Sequence, residues 1–184
     1  MKTIEVRRHS IRKEGRSLSK QGFRLARKVG KQLAGHYDLA ITSPKTRCRE
    51  TMEAFGIKEF SEHRAFAPLD TTGLEACEEE IKKIAEREKC STFAACFKVP
   101  AAVETLKKEA QDFLDAVCKI AKDLPDGGRA LVVSHGGTIE PAALIGLKKF
   151  ELAAIGGELS PCEGVAFEFE GEELSGVQVL RLKK

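Results

Sequence analysis

One six-residue run, Arg129-Ala-Leu-Val-Val-Ser134, is apolar at every position between its two polar ends. A strand with one face in water alternates apolar and polar side chains, whereas a strand buried on both faces is almost continuously apolar. The run therefore predicts a central strand that helices cover on both sides. Strands of this kind occur mainly in α/β proteins with a parallel sheet.

Strand patterns and helix-period patterns alternate along the rest of the chain. The predicted strands are residues 2–7, 39–42, 129–134, 164–169 and 177–182. The predicted helices run from Ser19 to near Gly35, from Ser43 to about Phe55, from 101 to 123 and from 138 to 147. This order predicts a three-layer α/β/α fold around a mainly parallel sheet, with the last two strands pairing as neighbours.

The chain has 184 residues, which suits one well-cored domain. We therefore expect a single domain over residues 1–184. Residues from about 57 to 100 fit the strand–helix alternation least well and are interpreted as an insertion near the functional site. The helix after residue 42 is expected to begin with Ser43 as its N-cap and Pro44 at its first position.

Histidine and arginine side chains follow the predicted strands. Arg8 and His9 end the first strand, His135 follows the 129–134 strand, and Arg47 lies shortly after the 39–42 strand. Ligands of open α/β sheets bind outside the carboxyl ends of the strands, so we expect these side chains to converge there. Arg12, three residues after His9, adds a further cation. The set predicts an anion pocket that contains a nucleophile.

A neutral imidazole can attack phosphorus, and the phosphorylated ring is labile enough to pass the phosphoryl group to water. His9 is the expected nucleophile. Guanidinium groups suit the oxygens of a transferring phosphoryl group because each can engage two oxygens and keeps its charge. Arg8, Arg12 and Arg47 are the expected phosphate ligands. His135 would add a hydrogen bond.

Four segments resemble the histidine phosphatase superfamily, also called the phosphoglycerate mutase-like family. They are Arg8-His9-Ser10, with serine where glycine is usual, Leu18-Ser-Lys-Gln-Gly22, the segment from Ser43-Pro44 through Arg47 to Thr51, and Ser134-His135-Gly-Gly137. The resemblance covers roughly residues 2–56 and 129–147. It implies a phosphoglycerate mutase-like fold, a phosphohistidine on His9, and a phosphate pocket completed by Arg8, Arg47 and His135.

Two departures from the family pattern bear on the reaction. The stretch from Ser10 to Ser19 lacks the asparagine of the mutases, and the usual glutamate proton donor has no clear counterpart. Asp70 is the favoured donor and Glu75 the next candidate. Without a donor, only substrates with good leaving groups, such as phosphoramidates or acyl phosphates, would be cleaved efficiently.

Composition narrows the functional classes further. A net charge of +3 from dispersed charges gives no reason to expect nucleic acid as a partner, and no run is apolar enough to span a membrane. The first residues do not resemble a secretory signal, so we expect a cytoplasmic protein. The six cysteines lack zinc-site spacing and are expected to be reduced thiols, so neither a metal nor another cofactor is expected.

These observations predict a metal-independent phosphatase of phosphomonoesters or phosphoramidates. Its substrate would be a phosphorylated small molecule or a phosphoprotein. Two alternatives stay open at this point: a phosphoglycerate-type mutase, and a non-catalytic module that binds phosphate through the same arginines. The oligomeric state is not predicted.

Overall fold

The computed structural model describes residues 1–33 and 35–182. Its strands are β1 (Lys2–Arg8), β2 (Leu39–Thr42), β3 (Ser61–Glu62), β4 (Arg129–Ser134), β5 (Gly164–Glu170) and β6 (Glu173–Leu180). Its helices are α1 (Lys20–Gly30), α2 (Thr46–Ala54), α3 (Glu78–Glu88), α4 (Thr92–Cys96), α5 (Pro100–Asp123) and α6 (Ile139–Gly146). Short 3₁₀ turns lie at Arg64–Phe66, Thr72–Cys77 and Leu152–Ile155.

The strands of the described chain form one sheet in the order β3-β2-β4-β1-β5-β6. β1 to β4 are mutually parallel, whereas β5 pairs antiparallel with β1 and β6 pairs antiparallel with β5. The expectation of a mainly parallel sheet closed by two neighbouring strands is confirmed. β4 lies between β2 and β1, which is the central position that its apolar run predicts.

Side chains of β4 point alternately into two cores. Ala130 and Val132 join the core formed with α5 and α6, while Leu131 and Val133 join the core formed with α1 and α2. All four are fully buried. The three-layer α/β/α arrangement is thereby confirmed, because helices cover both faces of the sheet.

Two helix boundaries differ from the sequence predictions. α1 ends at Gly30 rather than near Gly35. Gly30 packs closely against the end of α2, where a Cβ would come within 2.5 Å of the Phe55 carbonyl oxygen, so this contact requires glycine. α2 begins at Thr46 with Lys45 as an N-cap that makes no side-chain bond. The prediction of Ser43 as N-cap is wrong, because its hydroxyl bonds with His135 instead.

Residues 57–100 contain the edge strand β3, two 3₁₀ turns, α3 and α4. Buried side chains of α3 and α4, including Ile81, Ile84 and Ala95, pack with the first turns of α5 through Ala102 and Leu106. This is a third apolar cluster, separate from the two that cover the sheet. The interpretation of the segment as an insertion stays a prediction.

All six cysteines are free thiols in the structure. Among residues 1–33 and 35–182, no helix is both long and apolar enough to cross a bilayer.

Candidate active site

The polar side chains of the site lie directly after three adjacent strands of the sheet. His9 follows β1, Ser43 follows β2 and His135 follows β4. Backbone bonds fix these ends to one another: the His9 N–H donates to the Ser134 carbonyl over 2.8 Å, and the Ser43 N–H donates to the Val133 carbonyl over 3.0 Å. Parallel pairing thus brings residues up to 126 positions apart in the chain to one edge of the sheet.

The two histidine rings form a buried pair. Their centroids are 5.2 Å apart with the planes at 66°, and the residues are 9% and 2% exposed for His9 and His135. Nδ1 of His9 lies 2.7 Å from the Ser10 carbonyl oxygen. Because a carbonyl only accepts, Nδ1 carries the proton, and Nε2 keeps its lone pair. His9 is therefore oriented as a nucleophile.

His135 is held in the opposite tautomer. Arg47 Nη2 donates to Nδ1 of His135 over 3.0 Å, so the ring proton lies on Nε2 and is donated to Ser43 Oγ over 2.8 Å. The buried Cys48 thiol packs against the same ring, with Sγ 3.5 Å from Nε2, and donates to the Ser134 carbonyl. His135 is thus a neutral ring whose single N–H, on Nε2, is bonded to Ser43.

Burial and neighbouring cations lower the pKa of both histidines. Desolvation by burial is the main reason that the His9 pKa falls from 6.5 to about 4, and the charges of Arg47, Arg8 and Arg12 contribute. Burial, followed by Arg47, lowers the pKa of His135 to about 2. Both rings are therefore neutral at pH 7, and only the unprotonated form of His9 can attack phosphorus.

Arg8 and Arg47 bring two guanidinium groups to the histidine pair. Arg8 Nη1 donates to the Leu159 carbonyl, and its side chain passes beneath Gly136, where a Cβ would lie 2.8 Å from Cζ and Nε. The Nε atoms of Arg8 and Arg47 are buried without a hydrogen-bond partner. Buried N–H groups are almost always paired, so these two are donors that a bound anion could satisfy.

Arg12 lies further out. It is exposed, forms an isolated bridge with Leu18, and its charge lowers the pKa of both His9 and Arg47. The electrostatic coupling places Arg12 at the rim of the cationic cluster. Unlike Arg8 and Arg47, it has no buried, unpaired N–H group.

Ser10 and Thr51 fix the backbone next to His9. Ser10 donates its N–H to Thr51 Oγ1 over 3.0 Å and its hydroxyl to the Gly22 carbonyl over 2.8 Å, while Thr51 donates its own hydroxyl to the Arg47 carbonyl. Serine in the place of the usual glycine is therefore accommodated through a bond to α1. The sequence contained Thr51 in its motif but gave no sign that it joins Arg47 to the residue after His9.

A cavity of about 810 Å³ lies beside the histidine pair. Arg8, Gly136, Gly137 and Glu140 form its inner wall. The rest of the lining comes from residues 68–96 and Glu158 and includes Leu74, Glu75, Glu78, Ile81, Lys82 and Phe93. The histidines and Arg47 are not part of this lining, so the cavity adjoins the cationic cluster rather than containing it. Its position suits the part of a substrate that bears the phosphoryl group.

Glu75, but not Asp70, is part of that lining. Asp70 is exposed, and its carboxylate accepts bonds from the N–H and hydroxyl of Thr72. These two hydrogen bonds lower the pKa of Asp70, which stabilises the form that cannot donate a proton. The structure therefore brings His9, His135, Arg8 and Arg47 together, sets Arg12 at the edge, and leaves Asp70 turned towards its own loop.

Glu140 is the buried carboxylate of this region. It lies in the first turn of α6, where a carboxylate is favourable because of the helix dipole. Its Oε2 accepts from the Gly137 N–H, but its Oε1 accepts from the N–H of Leu159, which is 19 residues away. No local pattern could have identified that second bond.

Among the described residues, no group of three or more histidine, cysteine or carboxylate side chains could hold a metal ion.

A family model for the histidine phosphatase superfamily (branch 1) matches residues 5–179. No curated protein sequence matches the chain.

Solved structures share the fold. A phosphoserine phosphatase from Entamoeba histolytica in complex with phosphoserine superposes with a TM-score of 0.66 at 18% identity, covering 97% of each chain. A mycobacterial glucosyl-3-phosphoglycerate phosphatase gives 0.68 at 16% identity, also covering 97% of each chain. A phosphoglycerate mutase from Bacillus anthracis gives 0.65 at 17% identity, covering 98% of this chain and 92% of that one.

Proposed function

The chain belongs to branch 1 of the histidine phosphatase superfamily, and from this premise we propose that it hydrolyses a phosphomonoester or phosphoramidate through a phosphohistidine on His9, without a metal ion. The observation that carries the proposal is the buried His9–His135 pair beside two guanidinium groups whose Nε–H groups lack partners. It combines a nucleophile with donors for an anion in one place.

The first step transfers the phosphoryl group to the protein. Nε2 of His9 attacks phosphorus, the bond from phosphorus to the leaving oxygen or nitrogen breaks, and the leaving atom keeps the electron pair and takes a proton. Arg8 and Arg47 hold the equatorial oxygens, and Arg12 adds positive charge at the rim. His135 donates its Nε2–H to the phosphoryl group in place of its bond to Ser43. Fixed donors of this kind stabilise the charge that develops during transfer.

The second step returns the protein to its starting form. Water attacks the phosphorus of phosphohistidine, the phosphorus–nitrogen bond breaks, and Nε2 recovers its lone pair as inorganic phosphate leaves. The group that protonated the leaving atom now accepts a proton from the water. The hydrogen bond from His9 Nδ1 to Ser10 keeps Nε2 directed at phosphorus in both steps.

The proton donor in this proposal is Glu75. Of the two carboxylates considered from the sequence, Glu75 lines the cavity that adjoins Arg8, whereas Asp70 is bonded to Thr72 outside it. A proton donor must come within hydrogen-bond distance of the leaving atom. The position of Glu75 on the cavity wall satisfies that requirement better.

The cavity supports a substrate larger than phosphate itself. Its volume of about 810 Å³ is in the range of small-molecule sites, and Leu74, Ile81 and Phe93 give it apolar surface beside the charged groups. A small phosphorylated molecule fits these dimensions, and a phosphorylated side chain could enter through the same opening. The phosphoserine and glucosyl-3-phosphoglycerate phosphatases that share the fold act on compounds of the first kind.

The test measures hydrolysis of p-nitrophenyl phosphate in the presence of a chelator. We expect the wild-type protein to turn over and His9→Ala to lose at least about three orders of magnitude in kcat. His36→Ala is the matched control because His36 is an exposed histidine. Acid quenching during turnover would destroy a phosphohistidine, so the trap uses base, in which that bond survives.

Each outcome selects one function. Activity that survives chelation and disappears with His9 supports the proposal. Phosphate binding without turnover in the wild-type protein would identify a binding module instead. Transfer of the trapped phosphoryl group to 3-phosphoglycerate in preference to water would identify a mutase. Comparing a phosphohistidine peptide with O-phosphoserine as substrates would then define the leaving group.

A further inference from the structure

Glu140 is a buried charge that the proposed reaction does not use. The residue is 1% exposed, and each carboxylate oxygen accepts one backbone N–H, from Gly137 over 2.7 Å and from Leu159 over 3.1 Å. Burial raises the pKa of Glu140, while these bonds and the Arg8 charge oppose that rise. Burying a carboxylate is costly unless its contacts compensate, so its partners indicate its purpose.

Both backbone groups that donate to Glu140 belong to segments that contact the Arg8 side chain. The peptide groups of Leu159 donate the N–H to Glu140 and present the carbonyl that accepts from Arg8 Nη1. The Gly137 N–H that Glu140 also holds is next to Gly136, whose Cα lies against the Arg8 guanidinium. Glu140 thus ties together the two backbone segments between which the Arg8 side chain is held.

The same loop is also held from outside. Arg181, in the segment after β6, donates to the carbonyls of Ile155, Gly157 and Glu158 over 2.7 to 2.8 Å and to the Glu163 carboxylate over 2.7 Å. Arg8 itself donates its backbone N–H to the Glu163 carbonyl. The 155–163 loop therefore has an inner anchor, Glu140, and an outer anchor, Arg181.

We propose that Glu140 is a positioning residue that holds the Arg8 guanidinium in the orientation needed to bind the phosphoryl group. The proposal rests on the function proposed above, in which Arg8 is a phosphate ligand. An arginine side chain has many rotamers, and a site that fixes one of them before binding does not lose that freedom when the anion arrives. Donors fixed in advance also stabilise the transition state most effectively.

Whether Glu140→Gln strengthens or weakens anion binding distinguishes a positioning role from a purely electrostatic one. Glu140→Gln removes a negative charge close to an anion site, so Coulomb attraction alone predicts tighter anion binding. Loss of Arg8 orientation predicts weaker binding. The glutamine side chain has nearly the same shape but only one acceptor oxygen, so it can keep one of the two N–H bonds.

The experiment is a double-mutant cycle on orthovanadate binding, measured by calorimetry so that no activity is required. We expect Glu140→Gln to raise the vanadate Kd about tenfold, the effect of losing one well-placed charged hydrogen bond. We expect the same change in an Arg8→Met background to alter Kd by less than about twofold, because its effect passes through Arg8. Additive effects, or tighter binding by Glu140→Gln, would overturn the proposal.

Two further variants keep the test independent of stability. Glu5→Gln is the matched control: Glu5 is also a buried carboxylate, in the middle of β1, and it is bonded to Arg7 and Tyr37 rather than to Arg8. Its loss should lower stability without changing the vanadate Kd. Arg181→Gln loosens the loop from outside and should weaken vanadate binding when Arg8 is present but not in Arg8→Met. A Kd that Arg181→Gln leaves unchanged would contradict the role of the loop.

Failure of the two proposals can be told apart. The proposed function would be refuted if the wild-type protein neither binds vanadate nor hydrolyses p-nitrophenyl phosphate. A wild-type protein that does both, but gives an additive cycle, would remove only the positioning role of Glu140.

Discussion

Arg47 donates a hydrogen bond to Nδ1 of His135 over 3.0 Å, although 88 residues separate them in the chain. The bond fixes the tautomer of the second histidine, and it brings the buried, unpaired Nε–H of Arg47 to the same cluster. His9 is fixed in the other tautomer by the Ser10 carbonyl. The two rings therefore have complementary roles, one with a free lone pair and one with an N–H to donate.

Arg47→Lys should lower kcat/KM for p-nitrophenyl phosphate by about 100-fold, because an ammonium group lacks the fork that reaches both His135 and an anion. Arg49→Lys is the control on the same helix, since Arg49 is partly exposed and pairs with Glu62 over 3.1 Å. Equal effects of the two substitutions in steady-state kinetics would contradict the role of Arg47.

Stability should fall as the pH drops below about 6.5. The folded-state pKa values of about 4 for His9 and about 2 for His135 lie below the unfolded value of 6.5, so the unfolded chain binds more protons between these limits. Stability from these neutral rings is therefore present above 6.5 and is lost progressively towards the folded-state pKa values. The urea midpoint at pH 7 and pH 5 measures this change.

His135→Gln should reduce the loss of stability between pH 7 and pH 5. The variant has one histidine fewer that is neutral in the folded state but becomes protonated when the chain unfolds. Identical pH dependence in wild type and His135→Gln would show that other groups are responsible.

Gly136→Ala should lower kcat/KM about tenfold or more while the protein stays folded. Its Cβ would lie 2.8 Å from Cζ and Nε of Arg8, so the guanidinium must move from its place, and small displacements of catalytic groups are costly. Gly176→Ala is the matched control, since its Cβ would meet only the flexible Glu168 carboxylate, 2.9 Å away on the β5–β6 hairpin. Unchanged kinetics in Gly136→Ala would argue against Arg8 as a phosphate ligand.

Glu75→Gln should slow hydrolysis of an alkyl phosphate such as O-phosphoserine by about 100-fold, the usual contribution of general acid catalysis. Hydrolysis of p-nitrophenyl phosphate should change much less, because its leaving group departs without a proton. Asp70→Asn is the matched comparison and should change neither rate appreciably. A larger loss from Asp70→Asn would return the donor role to Asp70.

Helix starts show how local patterns can mislead near a functional site. Ser43-Pro44 has the sequence of a helix N-terminus, but α2 begins at Thr46 because the buried Ser43 hydroxyl bonds with His135. In contrast, the 39–42 and 129–134 strands have the predicted bounds. A strand is defined by its own run of apolar residues, whereas a cap depends on what else competes for the side chain.

The fold and the strand-end positions of His9 and His135 were determined by the sequence, because periodic burial and strand-end motifs are encoded within short stretches. The continuous apolar run of β4, with His135 directly after it, already implies a central strand and a polar edge. Only the tertiary structure decided the tautomers, the position of Glu75 on the cavity wall, and the link from Glu140 through Leu159 to Arg8. Those contacts join residues from separate elements, and their geometry exists only once the layers have packed.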